Sequence, residues 1–401
     1  METLVNLALG GITATSALLT LWQWLEGRLF PLHRRVEDPS FAPAVTLFKP
    51  LKGSDPGLES CLESWFAQDY PGPIQYLFGA AAPDDPALPL VRRLLEARPG
   101  ADAHVVVCPR RLGPNAKAST LAQLESHARH GLWVISDADV WAPPDLLVNL
   151  VAPLRDPAVG LVNPLYAFTR TQAASQPPGL SSALAMGLEA VAVNADFWTS
   201  VLQARRLRRL RFALGAAIAV RHTCIQRIGG LATLVEHLAD DYVLGRRIAD
   251  TGQRIELCPT PVACLEEPRP WRTVWQHQLR WARTIRVCSP GPYAASLISN
   301  PTLWPALWAL LEPNAASFAA LLGCLGVRIL TAADNERRLM RRRLPDPWIL
   351  AAPVKDLLQV LLWSSAFLGN TVEWRQERFR VQPDGRLVLL PDPRKPDASA
   401  S

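Results

Sequence analysis

Trp133-Val134-Ile135-Ser136-Asp137-Ala138-Asp139 is the stretch on which the fold turns. Aromatic and β-branched residues run straight into a polar end carrying two carboxylates two positions apart. Similar apolar runs recur between Phe41 and about Cys288: Val45–Phe48, Tyr76–Phe78, Val105–Val107 and Gly160–Val162. Helical stretches such as Pro89–Ala97 and Ala118–His127 lie between them. This alternation predicts an α/β domain with a mostly parallel sheet and helices on both faces. In open sheets of this kind ligands bind beyond the carboxyl ends of the strands, so the residues just after each run are the ones to inspect.

Those residues are polar. Val45–Phe48 leads to Lys49-Pro50-Leu51-Lys52-Gly53, and Tyr76–Phe78 leads through small residues to Asp84-Asp85-Pro86. Asp137-x-Asp139 is suited to a hard divalent cation, because Mg2+ or Mn2+ takes one or two carboxylates and completes its shell with substrate phosphates. Such a cation would neutralise the charge that builds on a diphosphate leaving group. The plainer reading of an Asp-x-Asp is a turn or a helix N-cap. The same choice arises at Ala239-Asp240-Asp241-Tyr242, which opens a helix continuing through Val243–Ile248: aspartates favour helix N-termini, and a catalytic base is the alternative. In Gln276-His277-Gln278-Leu279-Arg280-Trp281 the polar residues and the arginine share a helical face. An amphipathic interfacial helix would look the same.

Hydrophobic residues make up 49% of the 401 and charged ones only 19%, with 14 Trp. That low charge and the tryptophans point to contact with lipid. Thr3 to Leu25 carries no charge, long enough for the ~20 residues a membrane helix needs. A cleaved signal peptide is the rival, but Glu2 stands where a basic leader belongs. Arg28, His33, Arg34 and Arg35 follow, which by the positive-inside rule puts the next domain in the cytoplasm and Met1 on the far side. Val287–Leu311 and Asn314–Val327 are uncharged halves about Glu312-Pro313 and read as a hairpin or re-entrant pair. A basic block, Arg337–Arg343, then precedes the apolar run Leu357–Val372, only 16 residues long. The expected organisation is a membrane helix at 1–27, a catalytic domain at 41–286, membrane-associated helices at 287–372 and a polar tail at 373–401. A further basic stretch, Arg205–Arg211, reads as a solvated helix face or one lying on anionic headgroups. The net charge of +6 suits an anionic membrane surface or a phosphate-bearing substrate and gives no case for nucleic acid. The seven cysteines form no C-x-x-C pair, so they read as buried free thiols in a reducing compartment.

Taken in order, Phe48–Pro56 (FKPLKGSDP), Gly113–Lys117 (GPNAK), Ser136–Asp139, Gly229-Gly230-Leu231, Ala239–Tyr242 with Ile248–Gly252, and Gln278–Trp281 resemble the D, D, D, (Q/R)xxRW pattern of family 2-like glycosyltransferases. The likeness is to the ceramide glucosyltransferase family, family 21, and its bacterial relatives, including the hopanoid-biosynthesis-associated glycosyltransferase. It covers roughly Phe41 to Arg386, and the end Glu373-Trp374-Arg375 to Phe379-Arg380-Val381 shares it. The resemblance implies a GT-A fold and an inverting transfer of glucose or N-acetylglucosamine from a UDP-sugar to a membrane lipid, ceramide or a hopanoid-type acceptor. It implies donor binding by Pro50, Lys52, Asp84, Asp85, Lys117 and Asp137, with Asp137 and Asp139 on the metal. Asp241 becomes the general base, and His277, Gln278, Arg280 and Trp281 serve the diphosphate and the acceptor. This chain departs from the pattern at His277, where the family has Gln or Arg, leaving Gln276 and Gln278 as stand-ins. It also has Ala80–Pro83 where many relatives carry an extra acidic residue before Asp84. A processive polysaccharide synthase is the rival enzyme, for which the chain offers few spanning helices. A non-catalytic membrane-surface pseudoenzyme is the rival of another class, and the intact Asp85, Asp137, Asp241 and Arg280-Trp281 speak against it. The implied setting is a bacterial inner membrane, with the catalytic domain cytoplasmic.

Overall fold

A computed structural model describes residues 2–36, 38–170, 179–374 and 377–391. The chain divides into two compact units. The first is made of residues 1–30, 178–203 and 269–401, the second of 31–177 and 204–268.

The second unit is built on eight strands: β1 (Val45–Leu51), β2 (Ile74–Ala80), β3 (Asp102–Val107), β4 (Leu132–Ser136), β5 (Val140–Trp141), β6 (Val159–Arg170), β7 (Ala217–Arg221) and β8 (Arg254–Glu266). They lie in the order β3-β2-β1-β4-β7-β6-β8-β5. Neighbours from β3 to β4 are parallel, β7 runs antiparallel to both β4 and β6, and β6 and β8 are parallel again. Every residue of β1 is buried, Thr46 and Lys49 included, as in a strand covered on both faces. Trp65, Trp133, Phe48 and Phe78 fill the space around it. The antiparallel β7 escapes the sequence pattern because its small residues Ala217 and Ala219 break the aromatic and branched signature of a strand. Its insertion beside β4 sets the site, since the Asp137 N–H donates to the carbonyl of Ala216 at 3.1 Å.

The first unit contains three helices long and apolar enough to cross a membrane, spanning Leu4–Leu29, Ala315–Met340 and Pro347–Phe367. The first two lie parallel. At one end Asn6 accepts from the Trp308 indole at 2.7 Å. At the other, Trp24 and Arg28 both reach Asp334 and Arg338 reaches the carbonyl of Gly27. The chain reverses about Glu312-Pro313, where Asn314 and Ser317 form a reciprocal capping box at the start of Ala315–Met340. Buried Arg328 forks onto Asp196 and Asp356, and Lys355 bonds the same two carboxylates. Charges in such a setting persist only when paired. The last helix, Ala352–Phe367, packs its beginning against Val191, Ala195 and Ala332 and its end against Ala282 and Tyr293.

The polar end of the chain is ordered as a three-stranded antiparallel sheet of β9 (Thr371–Trp374), β10 (Glu377–Val381) and β11 (Leu387–Leu390), with Phe379 fully buried. Arg375 lies outside the described residues. The Arg205–Arg211 stretch is helical only through Leu207, so the single basic helix expected there is a helix end followed by irregular chain. All seven cysteines are free thiols.

Candidate active site

The site of the second unit is assembled at the carboxyl ends of β1 and β4. Helix Ala116–Leu124 begins at Asn115, whose side chain accepts from the Ala118 N–H at 3.0 Å. The same amide donates to the carbonyl of His237 at 2.9 Å and to Asp240 Oδ1 at 3.3 Å. Asn115 thus caps one helix and ties it to the beginning of another, Asp240–Asp250. That fixes Lys117 in the first turn, where its Nζ lies 2.5 Å from Asp137 Oδ1 and 3.8 Å from Asp240 Oδ2. Burial works against the ammonium, but Asp137 and then Asp240 hold its pKa well above the ordinary lysine range.

Asp241 stands beside this pair. Its Oδ1 accepts from the Tyr242 N–H at 2.7 Å, and a Cβ on Gly215 would come within 2.7 Å of its Oδ2. Glycine at 215 therefore makes room for the carboxylate. Burial first, and the Asp240 charge second, push Asp241 up to about 7, with Lys117 opposing. That value suits a group meant to accept a proton near neutrality. Asp139 is raised to about 6, by the protein packed around its carboxyl and then by Asp137. Asp139 is an exposed residue just beyond β4.

A residue that the sequence reading missed lies underneath. Lys49 is fully buried in β1, donating to the carbonyl of Asp137 at 2.6 Å and to Ser136 Oγ at 3.2 Å, with its ammonium 5.1 Å from the centre of the Trp65 ring. Burial pushes it down to about 8. It fastens the Asp137–Asp139 loop from below. The sequence places Lys49 just after the run Val45–Phe48 and gives it no role, but the strand continues to Leu51, so the lysine is inside β1, where a buried ammonium needs a partner.

The other expected donor residues are spread along the same strand ends. Pro50 is buried within β1, while Lys52 and Asp84 are exposed. Asp85 Oδ1 accepts from the Gly53 N–H at 3.0 Å and the Ala87 N–H at 2.9 Å, tying the loop after β1 to the start of the helix Ala87–Glu96. Gly53 adopts φ +74 there, which favours glycine.

His277, Gln278, Arg280 and Trp281 lie on the helix Trp271–Cys288 of the first unit. His277 Nδ1 is 2.7 Å from Glu189 Oε1, Gln278 donates to the same oxygen at 2.9 Å, and Arg269 donates to Oε2 at 2.8 Å. Glu189 is buried, which alone would raise its pKa, but the His277 bond and the cationic partners outweigh that and lower it. Burial lowers His277, against the bond to Glu189, which raises it. The imidazole also packs on the Trp281 indole, ring centres 4.7 Å apart. Glu189 had no signal in the sequence, because its partners are 80 to 89 positions away.

The fold is of the GT-A type. Its likeness to a mannosyltransferase from Pyrobaculum calidifontis in complex with GDP-Man and Mn2+ has a TM-score of 0.50 at 22% identity, over 90% of this chain and 99% of that one. The family model described as glycosyl transferase family 21 matches residues 4–387, and the chain belongs to that family. Relatives include a ceramide glucosyltransferase of Candida albicans, 35% identical over 30% of this chain and 24% of its own length. Ceramide glucosyltransferase 1 of Caenorhabditis elegans is 22% identical over 58% of this chain and 48% of its own. The chain thus spans less than half the length of these two relatives. Against the ceramide glucosyltransferase of Pyricularia oryzae, 22% identical, the match covers 91% of both chains.

Proposed function

We propose that this glycosyltransferase moves glucose or N-acetylglucosamine from a UDP-sugar to a hydroxyl of a membrane lipid, ceramide or a hopanoid-type acceptor, with inversion at the anomeric carbon. The observation that carries the reading is the carboxylate group beyond β4: Asp241, at the start of the helix Asp240–Asp250 and raised to about 7, beside a lysine shared by Asp137 and Asp240. Asp241 takes the proton of the acceptor hydroxyl as that oxygen bonds to the anomeric carbon and the bond to the diphosphate breaks. Lys117 supplies fixed positive charge toward the leaving UDP, and Asp85 serves the nucleoside. By the family pattern, Arg280 and Trp281 serve the diphosphate and acceptor.

Among the described residues no group of three or more His, Cys, Asp or Glu converges as a complete cation cage. Asp137 and Asp139 nevertheless fit Mg2+ or Mn2+, because two crowded oxygen donors, one raised by the other's charge, suit an ion whose remaining ligands come from phosphate. When bound, such an ion offsets charge on the diphosphate.

The three helices long and apolar enough to cross a membrane support an integral protein, and the exposed arginines of the 205–211 stretch suit anionic lipid. The basic flank at Arg28–Arg35 supports a cytoplasmic catalytic unit. Purified protein in vesicles, given a panel of UDP-sugars with ceramide, hopanoid polyol or diacylglycerol, should yield one singly glycosylated lipid by mass spectrometry. Its anomeric configuration should be opposite to that of the donor. A polymer ladder, a retained configuration, or no glycolipid from any pair would overturn the reading.

A further inference from the structure

The helix that carries Arg280-Trp281 is gripped along one whole face by the end of the chain. Gln276, Arg280 and Arg283 stand at i, i+4 and i+7, so they share that face. Gln276 donates to Glu373 Oε2 at 2.9 Å. The Arg280 guanidinium carbon lies 6.0 Å from the centre of the Trp374 ring. Arg283 donates to the carbonyl of Thr371, and Arg286 to the side chain of Asn370. All four partners belong to β9 or the residue just before it.

We infer that the C-terminal sheet is a positioning element of the transferase, in which Trp374, with Glu373 beside it, sets the guanidinium of Arg280. A strand that merely covered this helix would present apolar side chains. Instead β9 offers a carboxylate, an indole face and a backbone carbonyl to three consecutive polar positions of the helix. The sheet behind β9 is rigid enough to hold them. Val372, Phe379, Val381 and Leu387 are buried within it, and Trp374 leans on Phe379 with ring centres 6.5 Å apart. The guanidinium carbon sits over the indole ring, a contact that restrains where arginine turns its N–H groups toward a diphosphate. On its other side the helix is fixed by Glu189 and by Phe197 against Trp281, ring centres 6.3 Å apart. The guanidinium is thus aimed from two directions by residues far away in the chain.

This inference rests on the reading of Arg280 as a diphosphate residue, and the test separates the two. The full-length protein in vesicles is compared as Trp374→Ala, Trp374→Phe, Arg280→Ala and, on the exposed edge of β11, Val388→Ala. The readouts are kcat and KM for UDP-glucose with ceramide, UDP affinity by calorimetry, and thermal midpoint. Trp374→Ala should lose roughly 10-fold in kcat or UDP affinity, the scale of a lost cation–π contact. Its midpoint should stay near that of Val388→Ala, and Trp374→Phe should regain most of the loss. Arg280→Ala inactive with Trp374→Ala unimpaired would overturn the inference and spare the reading. Arg280→Ala fully active would overturn the reading. Equal loss in both Trp374 variants together with a lowered midpoint would show a structural role only and also overturn the inference.

Discussion

Two groups of charge face different problems in this molecule. The carboxylates beyond β4 and at the start of the helix Asp240–Asp250 are placed chiefly by backbone elements: β4 ends at Ser136, Asp137 follows at once, β7 beside it fixes the loop, and Asn115 ties in the helix. The polar belt on helix Trp271–Cys288 is brought together by side chains, with Glu189 on one flank and Glu373 and Trp374 on the other. In the first group like charges stay crowded, and burial with Asp240 holds Asp241 at about 7. In the second every carboxylate meets a donor, and Glu189 is pushed down despite its burial. Crowded carboxylates are poised to gain a proton or a cation, while satisfied ones hold a helix still.

The sharpest way to break this comparison is to empty the centre of the second group. Glu189→Leu leaves Arg269, His277 and Gln278 facing an apolar group, and losing one partner of a buried pair costs about 3–5 kcal/mol. Denaturation in detergent should show that loss, with Glu189→Gln falling between it and the parent. A Glu189→Leu protein as stable as the parent would mean the belt is not a brace.

The pH profile sharpens the contrast at the first group. Asp241 must be ionised to act as a base, so kcat should rise about tenfold per unit below pH 7 and level above it. Asp240, Lys117 and Asp137 face it, so the midpoint belongs to the group as a whole. The stability effect has the opposite sign. A folded-state pKa raised above the unfolded value means that the native chain binds more protons, so stability falls as pH rises from about 4 to about 7. A rate independent of pH from 5 to 8 would remove Asp241 from proton transfer.

The smallest expected effect is topological. Helix Ala352–Phe367 begins against Ala332, two residues from the Asp334 that meets Arg28, and ends against Ala282. The strand that follows it lies on the helix Trp271–Cys288. The apolar helix is longer than the expected 16-residue run, since Pro347–Phe367 has the 21 residues needed to cross, while Thr371 and Val372 belong to β9. We still predict a re-entrant or interfacial last helix, which would leave the tail on the Arg28 side of the membrane. A cysteine at exposed Asp384 should react with an impermeant thiol reagent only after the membrane is opened, with activity unchanged. Labelling in intact cells would show a full crossing.

The same contrast explains what was legible in the sequence. β1, β2, β3 and β4 and the groups at their ends could be read, because an apolar run and the polar residue after it are neighbours in the chain. Lys117 and Asp241 were placed by resemblance, and the structure joins them through Asn115, a cap whose second bond, to Asp240, spans 125 positions. Glu189 and Trp374 could not be read, since nothing in either stretch shows that both meet one helix. The tail read as polar because its strands are short and only a few of its side chains are buried.

The most direct test of the account is the Asp241→Asn variant, assayed for sugar transfer to lipid and for UDP binding on the same preparation. Amide for carboxylate keeps the shape beside Gly215 and removes the base. Transfer should fall ~100- to 10,000-fold while UDP affinity stays within a few-fold of the parent. Near-normal transfer would contradict the assignment of Asp241 as the group that takes the acceptor's proton.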